Sequence, residues 1–220
     1  MRTRTIIVVV VFLLAAGWFF YPFMRPDGGN TLFAMRLALP ATILALGGIG
    51  LIPPLMTLGF VFCAIGDAMG VLNSFEGQMA GFALAHICFI TYFIKSIRES
   101  KTKTSVLLCT TLLCLIPLAL AALKVIPMVN ILPIRIGCCI YALLLTGTLW
   151  TSIVRAFSIE NGRKLLPYIA ALGGLLFLVS DFVLSWNKFT SHIPHASIYI
   201  MTTYYAALLL LFTGTLKTQS

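Results

Sequence analysis

Acidic residues are scarce in this sequence. Its 220 residues include only six aspartates and glutamates, and charged residues make up 10% of the chain. A soluble domain usually carries about 25% charged residues, and hydrophobic residues here reach 60%. So little charge excludes an ordinary soluble domain and indicates a chain that lies in a membrane.

The sequence also lacks the short motifs of several enzyme classes. It contains no phosphate-binding glycine loop, no GxSxG nucleophile elbow and no dinucleotide fingerprint. Its six cysteines form no CxxC pair and all fall in apolar runs, which predicts small packing residues and not a disulfide framework. These cysteines are Cys63, Cys88, Cys109, Cys114, Cys138 and Cys139.

What the sequence does contain is a series of long apolar runs. A membrane-spanning helix needs about 20 apolar residues, with roughly 17 to 25 tolerated. By this criterion we predict an all-α polytopic membrane protein with eight spans in one integral membrane domain, residues 1–220. We interpret the first run as a retained helix and not as a cleaved signal peptide. The predicted spans are 6–21, 32–47, 54–72, 78–94, 105–123, 131–154, 166–186 and 196–216.

The net charge of +9 comes from basic residues that are distributed unevenly between the connections. Three of them, Arg25, Lys124 and Lys188, fall on one side of the membrane if the spans alternate. The side that holds both termini carries ten: Arg2, Arg4, Lys95, Arg98, Lys101, Lys103, Arg155, Arg163, Lys164 and Lys217. The positive-inside rule therefore predicts cytoplasmic termini, and it explains the positive charge without a nucleic-acid partner.

Polar side chains inside the predicted spans converge on one layer of the membrane. Asp67 and Asp181 each lie six residues before an asparagine at the outer end of a span, at a depth of about 9 Å. A charged group at such a depth costs at least ~2.5–3.5 kcal/mol, so it is expected to face the bundle interior or a partner. The same outer half is predicted to contain His86, Tyr204, Tyr205, Arg36, Arg135, Asn73 and Asn187.

The two aspartates also suggest an internal repeat. An offset of 114 residues aligns "LGFVFCAIGDAMGVLNSF" (58–75) with "LGGLLFLVSDFVLSWNKF" (172–189), and Leu, Gly, Asp, Asn and Phe match in register. The preceding spans each carry an arginine, in "FAMRLA" and "LPIRIG". This pattern favours two parallel four-helix repeats, about residues 1–103 and 104–220, related by an axis along the membrane normal.

The chemistry of this layer suits a phospholipid substrate. Burial away from water disfavours the charged form of a carboxyl group, so one of two neighbouring aspartates can stay protonated and act as an acid while the other acts as a base. Arginines nearer the surface can hold a phosphate through paired hydrogen bonds. The residues alone therefore indicate a hydrolase that modifies a single-tailed phospholipid entering from the outer leaflet.

Three segments resemble the YhhN family of eight-helix membrane proteins, the lysoplasmalogenases. These segments are "GDAMGVLNSF", "FALAHICFITYF" and "SDFVLSWNKF…TTYYAALLL", and the resemblance covers nearly the whole chain. It implies hydrolysis of the vinyl ether bond of a lysophospholipid without a cofactor, in the inner membrane of a bacterium. Asp67, Asp181 and His86 would then be catalytic, with Arg36, Arg135, Asn73, Asn187, Tyr204 and Tyr205 as substrate-binding residues. Family members typically carry a lysine–proline pair in the second helix, whereas this chain has Arg36 and Pro40.

Three other interpretations remain open. The aspartates could be structural and pair with Arg36 and Arg135. A lipid-binding or transport protein would explain parallel repeats equally well. A metal-dependent lipid hydrolase could instead use a ligand set of Asp67, His86, Asp181, His192 and His195, the last two in the segment "SHIPHA".

Overall fold

A computed structural model of the protein describes residues 2–24, 34–98, 102–158 and 165–217. Throughout these ranges the regular secondary structure is helical. The α-helices are α1 (Arg2–Met24), α2 (Leu39–Gly48), α3 (Pro54–Val71), α4 (Phe75–Arg98), α5 (Thr104–Leu120), α6 (Leu132–Phe157), α7 (Leu165–Phe189) and α8 (Ala196–Gly214).

Seven helical segments in the described part of the chain are long and apolar enough to cross a membrane. They are Thr3–Tyr21, Pro54–Val71, Phe75–Ile97, Thr104–Met128, Leu132–Phe157, Leu165–Phe189 and Ala196–Gly214. Each corresponds to one predicted span, so the sequence-based assignment of an all-α polytopic membrane protein is confirmed for these seven.

The second predicted span, 32–47, is shorter. Its described part is a 3-10 turn, Met35–Ala38, followed by the ten residues of α2; residues 32 and 33 lie outside the described ranges. A turn and helix of this length extend about 23 Å, which is less than the ~30 Å hydrocarbon core of a bilayer. The described residues therefore show this segment as a short apolar helix.

Prolines set several helix limits. Pro54 begins α3, and α6 also has a proline in its first turn, where the missing N–H costs no helical hydrogen bond. Pro117 lies inside α5, where it removes a donor from the helix ladder. Shortly after it, a π turn (Ala121–Val125) and a 3-10 turn (Ile126–Met128) end this span.

The outer surfaces of the helices are apolar. Leu14, Leu112 and Leu165 are more than 60% exposed, and each lies on a segment that can cross a membrane. Exposure of side chains of this size to water would be unfavourable, about 25 cal/mol per Å² of apolar surface, whereas lipid solvates them. The protein is therefore an integral membrane protein.

The chain packs as two compact units. Unit 1 comprises Met1–Cys88 with Leu216–Ser220, and unit 2 comprises Phe89–Thr215. Within unit 1, α2 packs against α1 and α3, and the backbone N–H of Lys217 donates to the carbonyl of Leu51 at 2.9 Å. Within unit 2, α7 packs between α6 and α8, and α5 packs on α6. The units divide inside α4 and not between residues 103 and 104, and the internal repeat stays a prediction.

Two groups of sequence-based expectations need correction. Cys63, Cys88 and Cys114 are buried as expected of packing residues, but Cys109 and Cys139 are exposed on the outer faces of their helices. All six cysteines are free thiols. Some basic residues assigned to connections lie in helices, because these helices continue beyond the predicted spans: Lys95 and Arg98 in α4, Arg155 in α6 and Lys188 in α7. Four other basic residues, Arg25, Lys101, Arg163 and Lys164, lie outside the described ranges.

Candidate active site

Asp67 occupies a buried position on α3, where 2% of its surface is exposed. The residue before it, Gly66, faces α4: an added Cβ at Gly66 would lie 3.1 Å from the ring of Phe82 and 3.2 Å from the carbonyl oxygen of Gln78. Asp67 therefore lies on a part of α3 that packs tightly against α4, with little room for a side chain at Gly66.

The reciprocal contact comes from α4. An added Cβ at Gly81 would lie 2.8 Å from both the Cα and the backbone nitrogen of Gly66. The backbones of α3 and α4 therefore touch at this pair of glycines, as small residues permit between helices in a membrane. This contact limits how closely α3 and α4 approach each other beside Asp67.

His86 and Arg36 are the other predicted site residues of unit 1. His86, on α4, is completely buried, which matches an imidazole that faces the helix bundle. Arg36 lies in the 3-10 turn before α2, with its guanidinium carbon 5.8 Å above the ring centroid of Phe19 on α1. This is a cation–π arrangement, so an aromatic ring already stabilises the positive charge proposed to meet a phosphate.

Asp181, in unit 2, is hydrogen-bonded to a tyrosine that the sequence analysis did not single out. It lies on α7, is 6% exposed, and its Oδ2 accepts a hydrogen bond from the hydroxyl of Tyr141 on α6. The hydrogen bond orients the carboxyl group. A tyrosine within an otherwise apolar run was the only signal of Tyr141 in the sequence.

The predicted tyrosine pair lies on α8, which packs against α7, the helix that carries Asp181. Tyr204 and Tyr205 are both buried on α8, with ring centroids 5.6 Å apart. Tyr204 also makes an edge-to-face contact at 5.4 Å with Phe177, which precedes Asp181 by one helical turn on α7. This aromatic cluster therefore meets α7 about one helical turn before Asp181.

Small residues bring α7 and α8 together below the aromatic cluster. An added Cβ at Gly173 would lie 2.8 Å from the backbone nitrogen of Leu211, and one at Gly214 would collide with the backbone of Ala170. The hydroxyl of Ser180 donates across the same interface to the carbonyl of Ile200 at 3.0 Å. Since Ser180 precedes Asp181, the interface holds this part of α7 firmly.

Three predicted binding residues have local structural roles. Arg135 Nε donates to the carbonyl of Val129 at 2.7 Å, and the Oδ1 of Asn187 accepts from the backbone N–H of Ile193 at 2.7 Å. Asn73 adopts φ of 59°, a left-handed conformation that asparagine tolerates better than most residues. Arg135 and Asn187 thus organise the ends of α6 and α7, and Asn73 forms the turn between α3 and α4.

Arg155 was assigned to a connection, but it is a buried residue of α6 with 8% of its surface exposed. Its Nε donates to Ser96 Oγ at 3.0 Å and its Nη2 to the hydroxyl of Tyr92 at 3.2 Å, both on α4. Its guanidinium carbon lies 5.4 Å from the ring centroid of Tyr92 and 5.8 Å from that of Phe93. The positive-inside count could not detect this role, because it treats every basic residue near a span end as solvated.

The proposed metal ligands do not assemble within the described ranges, where no three His, Cys, Asp or Glu side chains form a metal-binding group. His192 is exposed, and His195 immediately precedes α8 with φ of 56°.

Comparison with known sequences gives consistent matches. The sequence profile of the YhhN family matches residues 29–215. Lysoplasmalogenase TMEM86B of Homo sapiens is 30% identical over 213 residues, which covers 94% of this chain and 85% of the human protein. Lysoplasmalogenase TMEM86B of Rattus norvegicus is 34% identical over 155 residues, which covers 70% of this chain and 58% of the rat protein. The match thus spans less than two thirds of the rat relative. No solved structure matches the chain.

Proposed function

Because the chain belongs to the YhhN family, we propose that it is a membrane-embedded hydrolase that cleaves the vinyl ether bond of lysoplasmalogens. The products are a fatty aldehyde and a glycerophospho-base. The observation that carries this proposal is the burial of two carboxyl groups, Asp67 and Asp181, on helices long enough to cross a membrane. The reaction needs a lysophospholipid and water, and no cofactor.

The proposed reaction begins with transfer of a proton to the vinyl carbon that is not bonded to oxygen. The C=C electrons form the new C–H bond, and the adjacent carbon and the ether oxygen share the positive charge of an oxocarbenium ion. Water adds to the carbon that is bonded to the ether oxygen and loses a proton, giving a hemiacetal. The hemiacetal hydroxyl then loses its proton and its oxygen forms the C=O bond of the aldehyde, while the C–O bond to glycerol breaks and the glycerol oxygen takes a proton.

Two carboxyl groups can perform these steps. One donates the first proton, and the other, as a carboxylate, stabilises the cation or accepts the proton of the attacking water. The hydrogen bond from Tyr141 supports this role for Asp181 because it fixes the direction of one carboxyl oxygen. The Gly66–Gly81 contact supports such a role for Asp67 because it holds the helix that carries this carboxyl group. We propose that the buried His86 orients a carboxyl group or the attacking water.

Cationic and aromatic residues are proposed to bind the substrate. Arg135 uses only Nε for the Val129 carbonyl, and a guanidinium has further N–H donors for a phosphate. Arg36 would contribute a second cation. Tyr204 and Tyr205 would pack against the substrate near Asp181. We also propose that Asn73 and the amide nitrogen of Asn187 donate to its polar headgroup.

The test is product analysis with purified protein in detergent. A lysoplasmalogen incubated in D₂O and trapped at once should give a fatty aldehyde with one deuterium on the carbon next to the carbonyl, because that carbon is the protonated one. An acyl lysophospholipid of equal chain length is the control substrate and should not be cleaved. Mass spectrometry reads both outcomes.

Other results would reject this function. A protein that binds the lysoplasmalogen but releases no aldehyde would be a lipid-binding or transport protein. Turnover that a chelator removes and zinc restores would indicate a metal-dependent hydrolase. Release of a fatty acid from the acyl substrate would show that the protein hydrolyses an ester bond and not the vinyl ether bond.

A further inference from the structure

Arg155 is a buried cation that the proposed reaction does not use. It lies two residues before the end of α6, and its partner Ser96 lies two residues before the end of α4. At 1.5 Å per residue both are about 3 Å from the ends of their helices. The guanidinium is therefore buried between α4 and α6 near the C-terminal ends of both helices, where a membrane-crossing helix is expected to reach the lipid headgroups.

The hydrogen bonds of this guanidinium are incomplete. Ser96 and Tyr92 accept from Nε and Nη2, but Nη1 is buried and has no hydrogen-bond partner within the described ranges. A guanidinium stays protonated in proteins, and a buried charged donor left unsatisfied is costly. The aromatic rings of Tyr92 and Phe93 stabilise the cation without giving Nη1 an acceptor. The arrangement holds the arginine in place and leaves one donor for a ligand.

This guanidinium is too far from the Asp181–Tyr141 pair to serve the same substrate. Tyr141 and Arg155 are both on α6 and are separated by fourteen residues, a distance of roughly 21 Å along the helix. In a lysoplasmalogen only the glycerol backbone separates the vinyl ether from the phosphate. A phosphate at Arg155 therefore belongs to a second molecule.

We propose that Arg155, held by Ser96 and Tyr92, is a phosphate-binding site distinct from the proposed catalytic centre. A phosphate offers the acceptor oxygens that a fixed guanidinium binds best. The ligand is either the headgroup phosphate of a membrane lipid or free phosphate. The exposed Lys95 on the same end of α4 adds positive charge there. The site concerns binding alone, so it stands or falls independently of the proposed hydrolysis.

The experiment measures thermal unfolding of protein purified in a neutral detergent. One series adds inorganic phosphate at constant ionic strength, and the other adds phosphatidylglycerol in mixed micelles. The melting temperature of the wild type should rise and saturate in at least one series, because a ligand that binds only the folded state stabilises it. Saturation with phosphatidylglycerol alone identifies a lipid headgroup, and saturation with inorganic phosphate identifies a free-phosphate site.

Variants link the binding to the guanidinium. Arg155→Gln should bind at least about tenfold more weakly, since a hydrogen bond to a charged group is lost. Arg155→Lys keeps the charge but not the fork that bonds Ser96, Tyr92 and a ligand together, so it should also bind more weakly. If the glutamine variant does not fold, the affinity of Arg155→Lys decides whether the guanidinium binds the ligand. The matched control is Arg4→Gln, which removes an exposed arginine and should bind as the wild type does.

Three results would overturn the site. The first is that neither probe saturates in the wild type. The second is that every Arg155 variant that folds binds with wild-type affinity. The third is binding that appears only in Glu99→Gln or Glu160→Gln, because a carboxylate of the chain would then be the natural partner of Arg155; both glutamates lie outside the described ranges.

Discussion

Replacing Gly81 with alanine places a methyl group where α3 and α4 touch. The new Cβ would lie 2.8 Å from two backbone atoms of Gly66, whereas ordinary contact begins near 3.4 Å, so the helices must separate by about 0.6 Å. Overpacking of this kind costs about 1–3 kcal/mol. Neither contact atom belongs to a flexible side chain, so the backbone itself has to move, and Asp67 moves with it.

Gly17→Ala is the matched control for this variant. Gly17 is also helical, but an added Cβ there meets no atom within 4 Å. Both variants gain the higher helix propensity of alanine, about 1 kcal/mol, so their difference isolates the α3–α4 contact.

We expect Gly81→Ala to melt roughly 2–12 °C below Gly17→Ala in the same detergent. If Asp67 is catalytic, turnover at saturating substrate should fall as well, because a misplacement approaching 1 Å costs up to ~10²-fold. Equal melting temperatures for the two variants would refute the inferred backbone contact.

The remaining predictions concern the proposed reaction. Asp67→Asn and Asp181→Asn should each fold yet lose at least ~10²-fold in turnover, and the double variant should be little slower than the slower single one; near-normal rates in both would make the aspartates structural. Tyr141→Phe should lower turnover by about 10- to 100-fold, since a hydrogen bond to a charged group contributes about 1.5–3 kcal/mol, whereas Tyr199→Phe, at an exposed tyrosine, should not. Arg135→Met should raise KM more than it lowers kcat, and an unchanged KM in steady-state assays would remove Arg135 from substrate binding.

The spanning helices could be predicted because a membrane imposes a length and a polarity on each of them. The ends of the helices were harder to predict. Span 131–154 continues as a helix to Phe157, and this short extension moves Arg155 from a connection into a buried position. Apolarity marks the part of a helix in hydrocarbon and does not show where its hydrogen bonds stop.

The pairing of side chains was the least predictable part of the candidate site. In a soluble protein, polarity separates the buried face of a helix from the exposed one, but lipid makes both faces apolar. Cys63 is buried and Cys109 is exposed. Their apolar surroundings in the sequence are similar, so this difference could not be predicted. The hydrogen bond from Tyr141 to Asp181 joins residues forty positions apart, and no local pattern encodes which tyrosine faces the carboxyl group.

The hydrogen bond between Lys217 and Leu51 has a consequence for the order in which the protein is made. The two residues meet in unit 1, yet the ribosome produces the whole of unit 2 between them. A nascent chain can insert α1, α2 and α3 early. The carbonyl of the buried Leu51 can accept this hydrogen bond only after α8 and Lys217 have been synthesised. Unit 1 is therefore begun before unit 2 and completed after it, and a chain cut before Lys217 would leave unit 1 without this hydrogen bond.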